Sequence, residues 1–386
     1  MNKKTFLIFF SVVFVIYFLI NYYIFMHGWN AFPRHDASRT IYAITFSLLF
    51  ISYILSRFLE RTALVKVSEP FTWIGSFWLA AMFYFFLIVL LVDFIRLLDY
   101  WFAFLPEYFY CSCGAVKLLT FYYAIGIVFL AITAGFINAR NPKIKRLSLA
   151  VNKKAKDLKK LNIVAVSDIH MGMLVKHRMI SRLVRIIKKL NPDIVLIVGD
   201  MVDEDVAPVM KFNLGEPFKT IQVPFGIYAI SGNHELIGGS KKAFAYIESL
   251  GIKVLKDEVV KIADSFYLAG RCDNDMQRFT GVKRKSVDEL LQNIDPSLPL
   301  ILLDHQPFHL EIAEQCGVDL QLSGHTHHGQ IWPLHYITKK IFELSWGYKK
   351  KGNTHFYVSS GFGTWGPPVR IGNRPEVLNI ELNFLQ

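Results

Sequence analysis

The sequence predicts an α/β domain preceded by an all-α bundle of four transmembrane helices. Of the 386 residues, 53% are hydrophobic, and the excess lies in the first 140. From Leu161 onward, short apolar runs alternate with helical patterns. Several of those runs end directly in side chains that can bind metal.

The four apolar runs are Thr5–His27, Ile41–Phe58, Phe71–Leu98 and Leu119–Ala139. Each is long enough to cross a ~30 Å hydrocarbon core. Lys3 and Lys4 precede the first, as in a signal peptide, but no small-residue cleavage site follows and the run exceeds an h-region. It therefore reads as a retained anchor. Buried helices of a soluble domain are the poorer account, because four such runs in series are hard to house in one core.

Lys and Arg near the helix ends set the orientation. They gather at Lys3 and Lys4, at Arg57, Arg61 and Lys66, and in the stretch ARNPKIKRLSLAVNKKAKDLKK, which holds nine basic residues against one Asp. The other two loops are weaker, with Arg34 and Arg39 in one, and Arg96 and Lys117 against Asp99 and Glu107 in the other. Both termini are expected in the cytoplasm. The formal net charge of +12 is largely this belt, which suits anionic lipid headgroups. No nucleic-acid-binding signature accompanies it. Cys111 and Cys113 fall in the expected extracytoplasmic loop, where oxidation can occur. Cys272 and Cys316 lie far apart with no CxxC pattern, so a cysteine zinc site is not on offer. The expected organisation is a transmembrane domain over residues 1–139, a basic juxtamembrane linker over 140–160, and the α/β domain over 161–386.

Within that domain, LNIVAVS, DIVLIVG, GIYAISG, SFYLAG, LPLILLD, VDLQLSG, HFYVSS and EVLNIEL read as buried strands. HRMISRLVRIIKKL, KKAFAYIESL, SVDELLQN and PFHLEIAEQ read as helices between them. In open α/β sheets the loops beyond strand C-termini hold the chemistry. Five of these loops carry Asp168 and His170; Asp200 and Asp203; Asn233, His234 and Glu235; His305; and His325 and His327. One such residue in a loop is ordinarily a cap or a solvated side chain. Five sets in a row place oxygen and nitrogen donors on one rim, where buried carboxylates are costly without cations. Carboxylate, imidazole and amide oxygen without thiolate favour Mn²⁺, Fe or Zn²⁺ over Mg²⁺ or Ca²⁺. Two such ions ~3.5–4 Å apart need a bridging carboxylate, and Asp200 is the candidate.

The set DIH…GDMVD…GNHE…H…GHTH resembles the full signature of the calcineurin-like metallophosphoesterases. That resemblance implies a two-sheet sandwich flanked by helices. It implies one metal held by Asp168, His170, Asp200 and His327, and another by Asp200, Asn233, His305 and His325, with Mn²⁺ the first expectation. His234 would stand beside the phosphoryl group as proton donor or charge stabiliser. Asp203 and Glu235 would orient the ligand imidazoles. In an extended segment, residues two apart project to the same side, so His325 and His327 could each serve one of two neighbouring ions. His328 departs from the family pattern and is expected to line the pocket or sit at the surface.

The tail YVSSGFGTWGPPVRIGNRPEVLNIEL, with GHTHHGQIW, resembles a membrane-associated bacterial branch of this family, which implies a multi-pass protein of the inner membrane. Gly361 and Gly363 would let the backbone pass close to the site. Arg370 is either a substrate phosphate contact or a structural partner of Glu376. The expected activity is hydrolysis of a phosphodiester or pyrophosphate, with a lipid-linked substrate favoured by the membrane tether. Two basic, aromatic stretches, HYITKKIFELSWGYKKKG and MQRFTGVKRKSV, could meet lipid or be solvated loops. The resemblance reaches the hydrolases that cleave UDP-2,3-diacylglucosamine to lipid X and UMP in lipid A synthesis. Another phospholipid or polyprenyl phosphate is the alternative within that class. Outside it stand a transporter with a regulatory domain, for which Asp93, Arg96 and Asp99 are the sole intramembrane charge cluster, and an inactive binding module, which would lack a ligand.

Overall fold

A computed structural model describes residues 3–60, 65–106 and 113–385. Arg61 and Cys111, both used in the orientation and redox readings, lie outside the described residues, and the Cys113 side chain is likewise not described. The chain divides into two compact units, Met1–Phe136 with Gly366–Val369, and Ile137–Trp365 with Arg370–Gln386.

The first unit contains α1 (Lys3–Trp29), α2 (Ala37–Glu60), α3 (Val65–Phe102) and α4 (Cys113–Ala139). All four are long and apolar enough to cross a membrane. Each extends beyond its expected run. Apolar side chains such as Leu19, Leu48 and Leu130 point outward and remain exposed, as befits helices solvated by lipid rather than by a protein core.

The second unit is two six-stranded sheets. One has the order β1-β12-β2-β3-β4-β5 and the other β10-β11-β9-β8-β7-β6. In chain order the strands are β1 (Lys143–Lys154), β2 (Lys160–Val166), β3 (Ile194–Val198), β4 (Ile227–Ile230), β5 (Lys253–Val254), β6 (Glu258–Ile262), β7 (Phe266–Gly270), β8 (Leu300–Leu303), β9 (Leu320–Ser323), β10 (Gly347–Lys351), β11 (Thr354–Val358) and β12 (Glu376–Leu385). Side chains alternate across each strand. Ile163 and Ala165 of β2 enter a core shared with Leu268, Ile301, Leu303 and Leu322 of the other sheet. Val164 and Val166 turn the other way, onto Ile180, Leu183 and Ile187 of α5 (His177–Leu190). The second sheet is likewise covered on its outer side, by Leu290, Leu310 and their neighbours. This is the helix-flanked two-sheet sandwich expected.

All eight expected strands form. The four that the sequence reading lacked, β1, β5, β6 and β10, are the outer strands of the two sheets. An inner parallel strand is buried on both faces and reads as an unbroken apolar run. An edge strand keeps charges on its open side, as GYKKK does in β10. The largest consequence concerns residues 140–160. They are not a linker: Lys143–Lys154 pairs in parallel with β12 along its length, burying Leu149 and Val151 while Lys143, Arg146 and Lys154 stay exposed. Charge density masked a half-buried strand.

That assignment makes a prediction. Val151→Asp should cost about 2–4 kcal/mol by placing a carboxylate in the inter-sheet core, whereas Asn152→Asp should stay within about 0.5 kcal/mol. Denaturant unfolding followed by tryptophan fluorescence would measure both; equal effects would mean the segment is not part of the sheet.

Candidate metal centre

Three adjacent parallel strands in each sheet, β2-β3-β4 and β9-β8-β7, end at the site. The loops beyond them continue to bond one another: His170 N donates to Asp200 O at 3.0 Å, and Gly324 N to His305 O at 2.9 Å. The turns are sharp. Asp168, His170, Asp200, His325 and His327 all have positive φ, between 46° and 68°. Such conformations are sparsely populated in non-glycine residues and persist where surrounding structure imposes them. Here they swing five side chains inward from strand ends.

The side chains converge in two groups, Asp168 with His170 and His327, and Asp200 with His305 and His325, whose ligand atoms in each group lie within 4.8 Å of one another. His170 Nε2 is 3.0 Å from His327 Nε2, which is 3.4 Å from Asp168 Oδ1. On the other side, Asn233 Oδ1 is 2.9 Å from His325 Nδ1. Asp200 stands between the groups. The same oxygen, Oδ2, lies 3.1 Å from His305 Nε2 and 3.9 Å from His170 Nε2, while Oδ1 accepts from the His234 backbone N–H at 2.9 Å. Gly232 permits this approach, because a Cβ there would overlap Asp200 Oδ1. All seven residues expected as ligands are thus brought together. The route differs for two of them: the chain around His325 and His327 is a tight turn, not an extended segment. The turn itself sends the two imidazoles to different groups.

Electrostatics argue for cations in these groups. Asp168, Asp200, Glu235 and Asp273 are all buried. Burial pushes Asp168 above the usual carboxylate range, whereas His305 and His234 overcome that burial at Asp200 and hold it well below. Burial also raises Asp273 to about 6. Burial lowers His325 to about 3, and burial together with His170 and Arg370 lowers His327, which favours the neutral imidazole that binds metal. His305 donates through Nδ1 to Val198 O at 2.7 Å. Its Nε2 is buried, 3.1 Å from Asp200 Oδ2, and yet makes no hydrogen bond. The carboxylates draw positive charge to this point strongly enough to raise His305 well above its ordinary range against its burial. A cation between two lone pairs meets the same demand. The residues fit divalent metal.

Around the groups, Asp203 Oδ1 lies 3.2 Å from His234 Nδ1 and 3.6 Å from His170 Nδ1, facing the two imidazoles that it was expected to orient. Burial opposes charge on His234, but Asp200 and Asp203 raise it to about 9; bound cations act in the opposite direction. Glu235 does something other than orient a histidine. Its carboxylate accepts from the backbone N–H groups of Asp200, Val202 and Gly232 at 3.1, 2.9 and 2.8 Å, fixing the turns that carry the ligands.

Two other expectations are corrected. Arg370 is fully buried and therefore out of reach of a substrate phosphate. It does not bond Glu376 either, whose carboxylate takes Trp346, Tyr357 and Ser360. Arg370 Nη2 reaches Gly363 O at 2.6 Å, His327 Nδ1 at 3.1 Å and Gly361 O at 3.3 Å, leaving Nε2 of His327 facing His170 and Asp168. Gly363 does bring the backbone close, as its N–H donates to Asp168 O at 2.7 Å. His328 neither lines the site nor reaches the surface: it is buried 5.1 Å from the Trp346 ring, with Nδ1 3.3 Å from Ser345 Oγ.

Asp273 escaped the sequence reading. It follows β7 in the segment RCD, so the strand-end rule that found the others would have found it. It accepts from Gln306 Nε2 at 2.9 and 3.1 Å. Asn373, which donates to the His327 and His328 carbonyls at 3.1 Å each, carried no signal beyond its place in the tail.

Two outcomes test this geometry. Asp200→Asn should lose bound metal and turnover together, measured by elemental analysis of purified protein; full metal occupancy would refute the bridging position. Arg370→Lys should weaken metal binding by about 10–100-fold in a chelator-competition titration, and unchanged affinity would remove its link to His327.

Residues 161–329 match the family model for calcineurin-like phosphoesterases. A Helicobacter pylori chain described as an uncharacterized metallophosphoesterase is 34% identical over 62% of this chain and 64% of its own length. A Danio rerio transmembrane protein with a metallophosphoesterase domain is 33% identical over 67% of this chain and 62% of its own. The chain thus spans less than two thirds of the length of these two relatives. An Aquifex aeolicus chain, also described as an uncharacterized metallophosphoesterase, is 32% identical over 58% of this chain and 85% of its own. With a ligand set of this geometry and these relatives, the chain belongs to the calcineurin-like metallophosphoesterase family.

Proposed function

We propose that the protein is a membrane-anchored phosphoesterase that uses two divalent cations, Mn²⁺ first and Fe or Zn²⁺ as alternatives, on a phosphodiester or pyrophosphate in a lipid-linked substrate. The observation that carries the reading is Asp200 Oδ2 facing both His170 and His305. Two cations bound there would supply Lewis acidity to phosphoryl oxygens and lower the pKa of water. The chain's own part is positional and acid–base. Asp168, His170 and His327 on one side, and Asn233, His305 and His325 on the other, form a preorganised cradle. Asp203 Oδ1 faces Nδ1 of His234 at 3.2 Å, which leaves Nε2 as the nitrogen that gives a proton to the leaving oxygen.

A lipid-linked substrate is supported by what surrounds this cradle. Trp365, half exposed, lies 6.2 Å from His234. The helix His335–Ile341 leaves Tyr336, Ile337 and Ile341 exposed beside Lys339 and Lys340, and Phe342 at its end lies 6.0 Å from His325. Apolar and basic side chains interleaved in this way suit an anionic amphiphile or a bilayer surface with anionic lipids. The other basic stretch contributes less, because Arg284 turns inward to Asp304 at 3.0 Å. Placement of both termini and of the α/β domain on the cytoplasmic side of the inner membrane rests on the Lys and Arg distribution.

The first specific substrate is UDP-2,3-diacylglucosamine, cleaved to lipid X and UMP. Membranes containing the protein and Mn²⁺ should release UMP from it, and His234→Ala should lower the rate by about 10²–10⁴-fold with metal content unchanged. No release above that control would remove this substrate. Turnover of other phospholipid or polyprenyl phosphoesters in the same membranes would then identify the alternative within the class.

A further inference from the structure

We propose that the four-helix unit contains a binding site for an anionic phospholipid, separate from the metal centre. A cavity of about 1130 Å³ lies among α1, α2, α3 and α4, at the upper end of or beyond the roughly 300–1,000 Å³ of ordinary small-molecule sites. Midway along the helices its walls are apolar and aromatic, with Leu49, Trp78 and Phe85 among them. Toward one end the lining turns basic. Arg34 and Arg39 come from the α1–α2 connection and the start of α2, Arg96 from late in α3, and Lys117 from early in α4. These positions lie where α1 ends and α2 begins and where α3 ends and α4 begins, at the end of the unit opposite to Ala139.

Among the described residues, the charge there is only partly compensated. Asp93 is already engaged by Tyr23 at 2.5 Å, His27 at 3.0 Å and Arg96 at 3.5 Å. Arg39 is held over the Trp29 ring, 4.4 Å from its centroid, with Nε and Nη2 on the Trp29 carbonyl. Arg34 and Lys117 are exposed and have no ion pair among the described residues. Ser38 Oγ, also in the lining, is buried and makes no hydrogen bond. A basic, donor-rich end joined to an apolar interior, inside helices long enough to cross a membrane, matches a phosphate headgroup with acyl chains. A soluble anion would leave the apolar walls unoccupied, and a neutral lipid would leave the charges unmatched. The site does not depend on the phosphoesterase reading, because none of its lining belongs to the α/β domain.

The test uses the full chain in nanodiscs of equal phosphatidylglycerol and phosphatidylcholine, with native mass spectrometry of the released protein. Phosphatidylglycerol should be retained in preference to phosphatidylcholine. Arg34→Ala and Lys117→Ala should each weaken retention roughly fivefold. Ala124→Trp, which fills part of the lining and leaves every charge in place, should weaken it as well. Equal retention of the two lipids would overturn the proposal, and so would retention indifferent to the charge variants and to Ala124→Trp, since the lipid would then be annular only.

Discussion

The α/β domain is organised around one electrostatic constraint: several carboxylates are buried on a single rim, and their charge must be met there. Asp168, Asp200, Glu235 and Asp273 are withdrawn from water, which is expensive unless each finds donors or cations. Glu235 is satisfied by three backbone N–H groups and Asp273 by Gln306 and the Asp275 N–H. Asp168 and Asp200 face imidazoles across gaps of 3.1–3.9 Å. Those gaps are the places where a cation would fit between the ligand atoms.

The sandwich makes that concentration of charge feasible. Each sheet contributes three neighbouring parallel strands, and parallel strands end on the same side. Two sheets packed face to face then bring six loops to one edge. The cost is local strain, carried by five site residues in the left-handed region. It is sustained by loop-to-loop hydrogen bonds and by two buried charged side chains, Glu235 beneath the turns and Arg370 behind His327. Neither of these two touches the open side of the cradle. Both hold the groups that do.

The four-helix unit follows a different logic. Its outward apolar side chains belong to helices long and apolar enough to cross a membrane, and its polar residues are few and collected. Tyr23, His27, Asp93 and Arg96 satisfy one another, while Arg34 and Lys117 do not find partners among the described residues. Where polar groups are scarce, an unmatched set of charges marks a place for a ligand more clearly than it would on a soluble surface.

The sequence alone determined the two-part architecture, the eight inner or doubly buried strands and the seven candidate ligands. Those features are written in uninterrupted apolar runs and in the residues directly following them, where local order and spatial order coincide. It could not yield the edge strands, because β1 and β10 are rich in lysine and only their pairing with β12 and β11 reveals them. Nor could it assign Arg370, Glu235 or His328. A charged side chain in a loop reads the same whether it meets substrate, backbone or a neighbouring imidazole. Tertiary packing decided these roles by setting which groups are buried together and which lone pairs are left facing one another.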